Sequence, residues 1–155
     1  MSGIRALGYI VVQGPVEEWM SFATDVLGAQ VARHTADEVR LRTDERSWRV
    51  AIESGPAAGP GSLVALGFEV ESAGALSELA DSLTACGIDV RVDDELARHR
   101  QVRGLIAFSD NDGHPLEAYY GHEIDHNPFV SPRGVDFVTG DLGVGHAFLF
   151  SGAQD

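Results

Sequence analysis

His146 is the residue whose surroundings most suggest chemistry. It ends the run Thr139-Gly-Asp-Leu-Gly-Val-Gly-His146 and opens the apolar stretch Ala147-Phe-Leu-Phe150. A glycine-rich turn leading into a strand, with histidine at the strand's start, can present an imidazole to a metal ion. One imidazole is not a site, so further ligands have to converge on it. Glu117 stands in the strand-like run Pro115-Leu-Glu-Ala-Tyr-Tyr120. Pairing with an arginine or with water is the ordinary role of such a carboxylate. His114 precedes Pro115 at a turn and lies an odd step from Glu117, so their side chains point to opposite faces. His122 and His126 share a polar connector, where solvated imidazoles are expected and a loose surface metal site is the alternative. Asp93-Asp-Glu95 fits a helix start, where acids favour the dipole. Gly55 to Gly61 lacks the Lys-Ser/Thr ending of a phosphate-binding loop, and no helical pattern follows Gly140 to Gly145. No histidine stands at motif spacing from a serine, so nucleophilic catalysis has no support.

The elements that must position these residues follow from periodicity. Ile4 to Val12 is a β-branched apolar run and predicts a strand, broken at Gly14-Pro15. From Pro15 to Leu27, Val16, Trp19, Phe22, Ala23, Val26 and Leu27 fall at helical spacing, with Gly28 as the stop. Gln30 to His34, Glu38 to Thr43 and Ser47 to Ser54 predict three strands. In the last two, apolar residues alternate with charged ones as in half-buried antiparallel strands. After the loop Gly55 to Gly61 the order repeats: strand Leu63 to Val70, helix Ala75 to Cys86, strand Ile88 to Val92, a short helix Asp94 to Arg100, and strands Leu105 to Phe108 and Pro115 to Tyr120. Two β-α-β-β-β units set about 57 residues apart form an internal repeat. Trp19, Phe22 and Trp48 are expected in the core. Residues 122–140 read as an irregular connector, and 141–155 as the first strand of a further domain.

The chain has 155 residues, enough for one domain burying about 70% of its unfolded surface. Its 24 acids oppose 11 arginines and no lysine, a formal charge of −13 that repels phosphates. Nucleic acids and anionic membranes are therefore excluded as partners. A single cysteine, Cys86, cannot form an internal disulfide. No charged-then-apolar leader begins the chain, and no apolar run approaches the ~20 residues of a membrane span. These features predict a soluble cytoplasmic protein.

Several segments carry a family likeness: Ile4-Arg-Ala-Leu-Gly-Tyr-Ile10, Gly104-Leu-Ile-Ala-Phe-Ser-Asp110, Asp112-Gly-His-Pro-Leu-Glu-Ala-Tyr-Tyr-Gly121, Pro128-Phe129 and Gly140-Asp-Leu-Gly-Val-Gly-His146. Together they resemble the amino-terminal half of type I extradiol dioxygenases, most closely the 2,3-dihydroxybiphenyl 1,2-dioxygenase group. The likeness covers essentially the whole chain. It implies an α+β, vicinal oxygen chelate fold of the glyoxalase/bleomycin-resistance/dioxygenase kind, in which two tandem units curl into a cup. Residues 4–121 would form that domain, with units at about 4–55 and 62–121. Such enzymes open catechol rings with Fe(II) and O₂, the iron being held by two histidines and a carboxylate that leave adjacent positions open. The family's three ligand positions in a cup fall here at Tyr9, Ala65 and Glu117. Only the carboxylate is present, so this cup is expected to be metal-free and the chain alone inactive. His146 corresponds to the first iron ligand of a catalytic domain beyond it.

The resemblance implies a missing carboxy-terminal catalytic domain as partner, a homo-oligomer, and a small aromatic diol as the parent enzyme's substrate. Two other readings stay open. One is a single-domain dioxygenase for small catechols, its site completed between subunits by Glu117 and His146. The other is a metal-free protein that binds an aromatic molecule between Tyr9, Phe68, Glu117 and Tyr119.

Overall fold

A computed structural model describes residues 3–56 and 62–149. Both β-α-β-β-β units are present in the expected order. The first contains β1 (Ala6–Gly14), α1 (Val16–Phe22), β2 (Gln30–His34), β3 (Glu38–Arg42) and β4 (Val50–Ser54). The second contains β5 (Leu63–Glu69), α2 (Ala73–Ala85), β6 (Arg91–Val92), α3 (Asp94–Arg100), β7 (Gly104–Ser109) and β8 (Pro115–Tyr120). The strands join in one sheet of order β2-β3-β4-β1-β5-β8-β7-β6. That order is palindromic under the exchange of units. β1 and β5 pair antiparallel at the centre, and each runs parallel to the last strand of its own unit, Ile10 opposite Val50 and Leu66 opposite Leu116.

Strand alternation sorts the side chains into two buried faces. On one, Val39, Leu41 and Ile52 pack with Val16 and Ala23, while Val70, Ile106 and Ala118 pack beneath Ala75 and Leu76 of α2. The other face is the cup. Tyr9, Val11, Ala51, Ala65, Leu105 and Tyr119 cluster there with Trp48, and Ala97 and Val102 close over them from α3 and its exit. Full burial of one large apolar side chain is worth about 1.5–3 kcal/mol, so the cup is a core in its own right.

Four local expectations change. The predicted helix over 15–27 is α-helical only to Phe22, and Ala23–Leu27 forms a π turn ended by Gly28. Val16, Trp19, Met20 and Ala23 form the inward stripe, Phe22 lies off it and is exposed, and the wider turn leaves Val26 and Leu27 exposed as well, whereas Trp48 is fully buried. The strand predicted over 88–92 is only Arg91–Val92. Ile88 is used instead to finish α2: its N–H donates to the Leu83 carbonyl and that of Gly87 to Thr84, the Schellman arrangement. In β3 the alternation holds, yet Glu38, Arg40 and Arg42 are buried with their apolar neighbours, because α3 and the connector cover the cup side. Arg40 donates to Glu38 and to Gln101 Oε1 (2.8 Å) and lies 5.1 Å from the Trp48 ring centre.

The expected strand after residue 141 is absent from the described part of that segment. A 3-10 turn covers Gly140–Leu142, and residues 143–149 form no ladder. Backbone groups need partners to make a strand, and here the Leu142 and Gly143 N–H groups bond within their own turn while that of Val144 donates to the Leu7 carbonyl of β1. Residues 57–61 of the expected loop, and 150–155, lie outside the described residues.

Candidate functional site

Strand register brings the cup positions together. Tyr9 lies opposite Gly67 on β5, and Gly67 lies opposite Glu117 on β8. The Tyr9 ring rests on Gly67, where an added Cβ would sit 2.2 Å from a ring carbon, so no larger residue fits. The Tyr9 hydroxyl donates to Glu117 Oε2. Arg100, at the end of α3, reaches the same carboxylate from above: Nε donates to Oε2 and Nη2 to Oε1, each at 3.1 Å. Its third nitrogen, Nη1, donates to Glu53 Oε1 of the first unit, also at 3.1 Å.

α3 is placed for this by its ends. The Asp93 carboxylate caps it by accepting from Leu96 N–H at 2.8 Å, and the buried Trp48 indole donates to the Arg100 carbonyl at 3.0 Å. Burial alone would lower the Arg100 pKa, but the hydrogen bonds and charge of Glu117 raise it. Burial, reinforced by Glu117, pushes the Tyr9 hydroxyl well above its ordinary value. Tyr9 is therefore a phenol that donates, and Arg100 a permanent cation.

These residues do not fit Fe(II). Ala65 is buried beside Tyr9 and offers no donor atom. The protonated phenol is no anionic ligand, and both oxygens of Glu117 are taken by Tyr9 and Arg100. The Arg100 guanidinium is the cation paired with this carboxylate.

The aromatic cup also differs from expectation. Tyr9 stacks on Tyr119 at 4.7 Å and tilts against Trp48 at 4.6 Å, and all three are fully buried. No opening remains between them for a ligand. Phe68 lies opposite Ala118, a residue of the α2-side core, so it faces away from Tyr9 and Tyr119. A cleft of about 630 Å³ opens further out, lined in part by Val64, Ile88, Arg91, Leu96, Phe108 and Glu117.

His122, expected as a solvated loop residue, is 4% exposed. Its ring stands edge-on to Tyr9, Trp48 and Tyr119 at 5.9, 5.5 and 5.6 Å. Neither ring nitrogen has a protein partner. Burial first, then the charges of Arg49 and Arg46, lowers its pKa to about 3, so it is neutral. His126 remains exposed. His146 is likewise exposed, beyond the Gly140–Leu142 turn, and the cup residues lie elsewhere.

One grouping escaped the sequence reading. Asp110, Asp112 and His114 place ligand-type atoms within 4.8 Å of one another. The carboxylate of Asp110 already organises this turn, accepting from the backbone of Asp112 and His114 and pairing with His114 Nδ1 at 2.7 Å. Spacing at i, i+2 and i+4 around Asn111-Asp-Gly113 was the available signal. For Arg100 no signal existed, since a basic residue ending a helix normally faces solvent.

The fold and this site define a vicinal oxygen chelate domain whose cup is closed by its own side chains. A family model described as "Dihydroxybiphenyl dioxygenase BphC D1" matches residues 7–55. A 3-methylcatechol 2,3-dioxygenase of Pseudomonas putida is 41% identical over 150 residues, which are 94% of this chain and 50% of that protein. A biphenyl-2,3-diol 1,2-dioxygenase of Paraburkholderia xenovorans is 42% identical over 147 residues, 92% of this chain and 48% of that protein. A crystal structure of a catechol 2,3-dioxygenase superposes with a TM-score of 0.85 at 30% identity, over 94% of this chain and 50% of that one. By these likenesses the chain resembles the amino-terminal half of type I extradiol dioxygenases. The chain spans about half the length of the relatives it matches.

Proposed function

We propose that this chain is the amino-terminal, non-catalytic part of an Fe(II)-dependent extradiol dioxygenase that cleaves a small aromatic diol with O₂. In this reading residues 4–121 are the scaffold domain, 122–140 a connector, and 141 onward the entry to a catalytic domain for which His146 is the first iron ligand. The observation that carries it is the Arg100 guanidinium seated on Glu117 in the cup, where the family's chemistry would need an accessible metal. Exposed apolar residues on the terminal segment support a covering domain: Val138, Leu142 and Phe148 are 86%, 68% and 94% accessible. Assembly into a homo-oligomer and a cytoplasmic setting belong to the same proposal. No helix among the described residues is long and apolar enough to cross a membrane.

Iron content and ring cleavage test the reading together. The 155-residue chain, purified anaerobically with Fe(II), is expected to hold little iron and to give no yellow product from catechols. A chain extended into a second pair of units is expected to hold iron and give that product, and His146→Ala should abolish both. Near-stoichiometric iron in the 155-residue chain, with coloured product, would overturn it.

A further inference from the structure

Three glycines precede His146, and the backbone explains them without a metal. Gly140, Gly143 and Gly145 have φ of +58°, +69° and +94°, where other residues are strained. Gly143 is also pressed on the first unit: an added Cβ would lie 2.1 Å from the Leu7 carbonyl oxygen. That same oxygen accepts from Val144 N–H at 2.8 Å. Gly140 is held from another side. Its N–H donates to Asp44 Oδ2 at 2.8 Å, and its carbonyl accepts from Arg49 Nη2 at 2.6 Å.

Arg49 is fully buried and serves three groups at once. Nη1 donates to the Gly8 carbonyl of β1 at 2.9 Å, Nε and Nη2 hold Asp44 at 2.9 and 2.7 Å, and Nη2 reaches Gly140 as well. Thr139 Oγ1 adds a bond to the Thr43 carbonyl at 3.3 Å. One ion pair beside the turn between β3 and β4 thus ties β1, that turn and residues 139–144 together. Lysine could not replace Arg49, because one ammonium cannot reproduce the directions of a planar fork.

We propose that the Asp44–Arg49 pair is a latch that fixes the direction in which the chain leaves the cup domain, and that Arg49 is thereby a positioning residue for His146. The role toward His146 rests on the reading of that residue as a ligand of a following domain. The glycine-rich motif then serves docking: Gly140 and Gly143 let the chain lie against Asp44 and Leu7, and the positive φ of Gly145 turns it away.

The single, exposed Cys86 at the end of α2 makes the test direct. Spin labels on Cys86 and on an Ala147→Cys substitution report the position of the exit segment by pulsed dipolar spectroscopy. The parent is expected to give one narrow distance distribution, and Arg49→Lys and Gly143→Ala a distribution at least about twice as broad. Amide exchange at Gly140 and Val144 should rise roughly tenfold to a hundredfold in Arg49→Lys, the loss of a charge-assisted hydrogen bond, with exchange in β7 and β8 unchanged. Gly143→Ala lies outside the sheet and carries the test if Arg49→Lys does not fold. A distribution equally narrow in the variants, or equally broad in the parent, overturns the latch. In the extended chain, unchanged iron content in His146→Ala overturns the ligand reading and Arg49's role toward it, whatever the distances show.

Discussion

Replacing His122 with phenylalanine should remove a specific weakness of this protein toward mild acid. The imidazole is enclosed by Tyr9, Trp48 and Tyr119, and its pKa falls from an ordinary 6.5 to about 3, burial being the main cause and the cations of Arg49 and Arg46 the next. Below pH 6.5 the unfolded chain takes up a proton that the folded protein refuses, so stability declines as pH falls and the decline ends near the folded value. Each unit of pH inside that window costs about 1.4 kcal/mol. Between pH 7.5 and 4.5 the sum is about 2.7 kcal/mol, a large fraction of the 5–15 kcal/mol that holds a typical domain together. Urea unfolding followed by the fluorescence of Trp48, which touches His122, measures it at both pH values. Phenylalanine keeps an aromatic ring in the cage and cannot titrate. The wild type should lose about 2.7 kcal/mol more than His122→Phe over this interval. His99, whose pKa is also lowered by burial and by Arg40, is common to both proteins and cancels. Parallel loss of stability in the two proteins would refute the reasoning, because His122 would then protonate as readily folded as unfolded.

Two further substitutions test the ion pairs. Burial alone would raise the pKa of Asp44, but hydrogen bonds and charge from Arg49 outweigh it and hold the carboxyl at about 2 against an ordinary 3.8. That depression stabilises the fold above pH 3.8 and is lost as pH falls through about 2, so Asp44→Asn should cost about 2 kcal/mol at pH 7 and nothing below pH 2. Urea titrations of both proteins across that range check the sign. Arg100→Met leaves the buried Glu117 and the half-buried Glu53 without their cation and should cost about 3–5 kcal/mol. Adding Glu117→Gln should recover part of the loss in chemical denaturation, and identical single and double variants would show that the two side chains are not coupled.

The fold was legible because its punctuation is strong. Gly14-Pro15, Gly28, Gly87 and Asn111-Asp-Gly113 separate runs with clear periods, and the repeat of the order in two halves reinforced each assignment. Where the local pattern was ambiguous, tertiary contacts decided. The sequence of β3 alternates as a half-buried strand does, but nothing in Glu38-Val-Arg-Leu-Arg42 says that α3 and the connector will cover its polar side. Val26 and Leu27 fit a helical stripe until the π turn shifts the face. Among the site residues, the lack of ligands at Tyr9 and Ala65 could be read from residue types alone. The burial of His122 and the reach of Arg100 could not, since both depend on contacts between segments far apart in the chain: Arg100 with Glu53, and His122 with Tyr9 and Trp48.

A guanidinium at the centre of a cup differs from a metal ion in what it can do. A divalent ion gathers ligands from both units and can still keep open positions for a substrate. Arg100 also joins the units, with one nitrogen on Glu53 from the first and two on Glu117 from the second. All three of its nitrogens donate to carboxylates, and a guanidinium, unlike a metal ion, has no coordination position to offer a substrate. A buried ion pair of this type adds little net stability over well-packed apolar residues. Its geometry, however, is satisfied in only one arrangement of α3 over the sheet, with the Trp48 indole bonded to the same residue's carbonyl. The network therefore fixes how the two units face each other and leaves both oxygens of Glu117 engaged by side chains of the same domain.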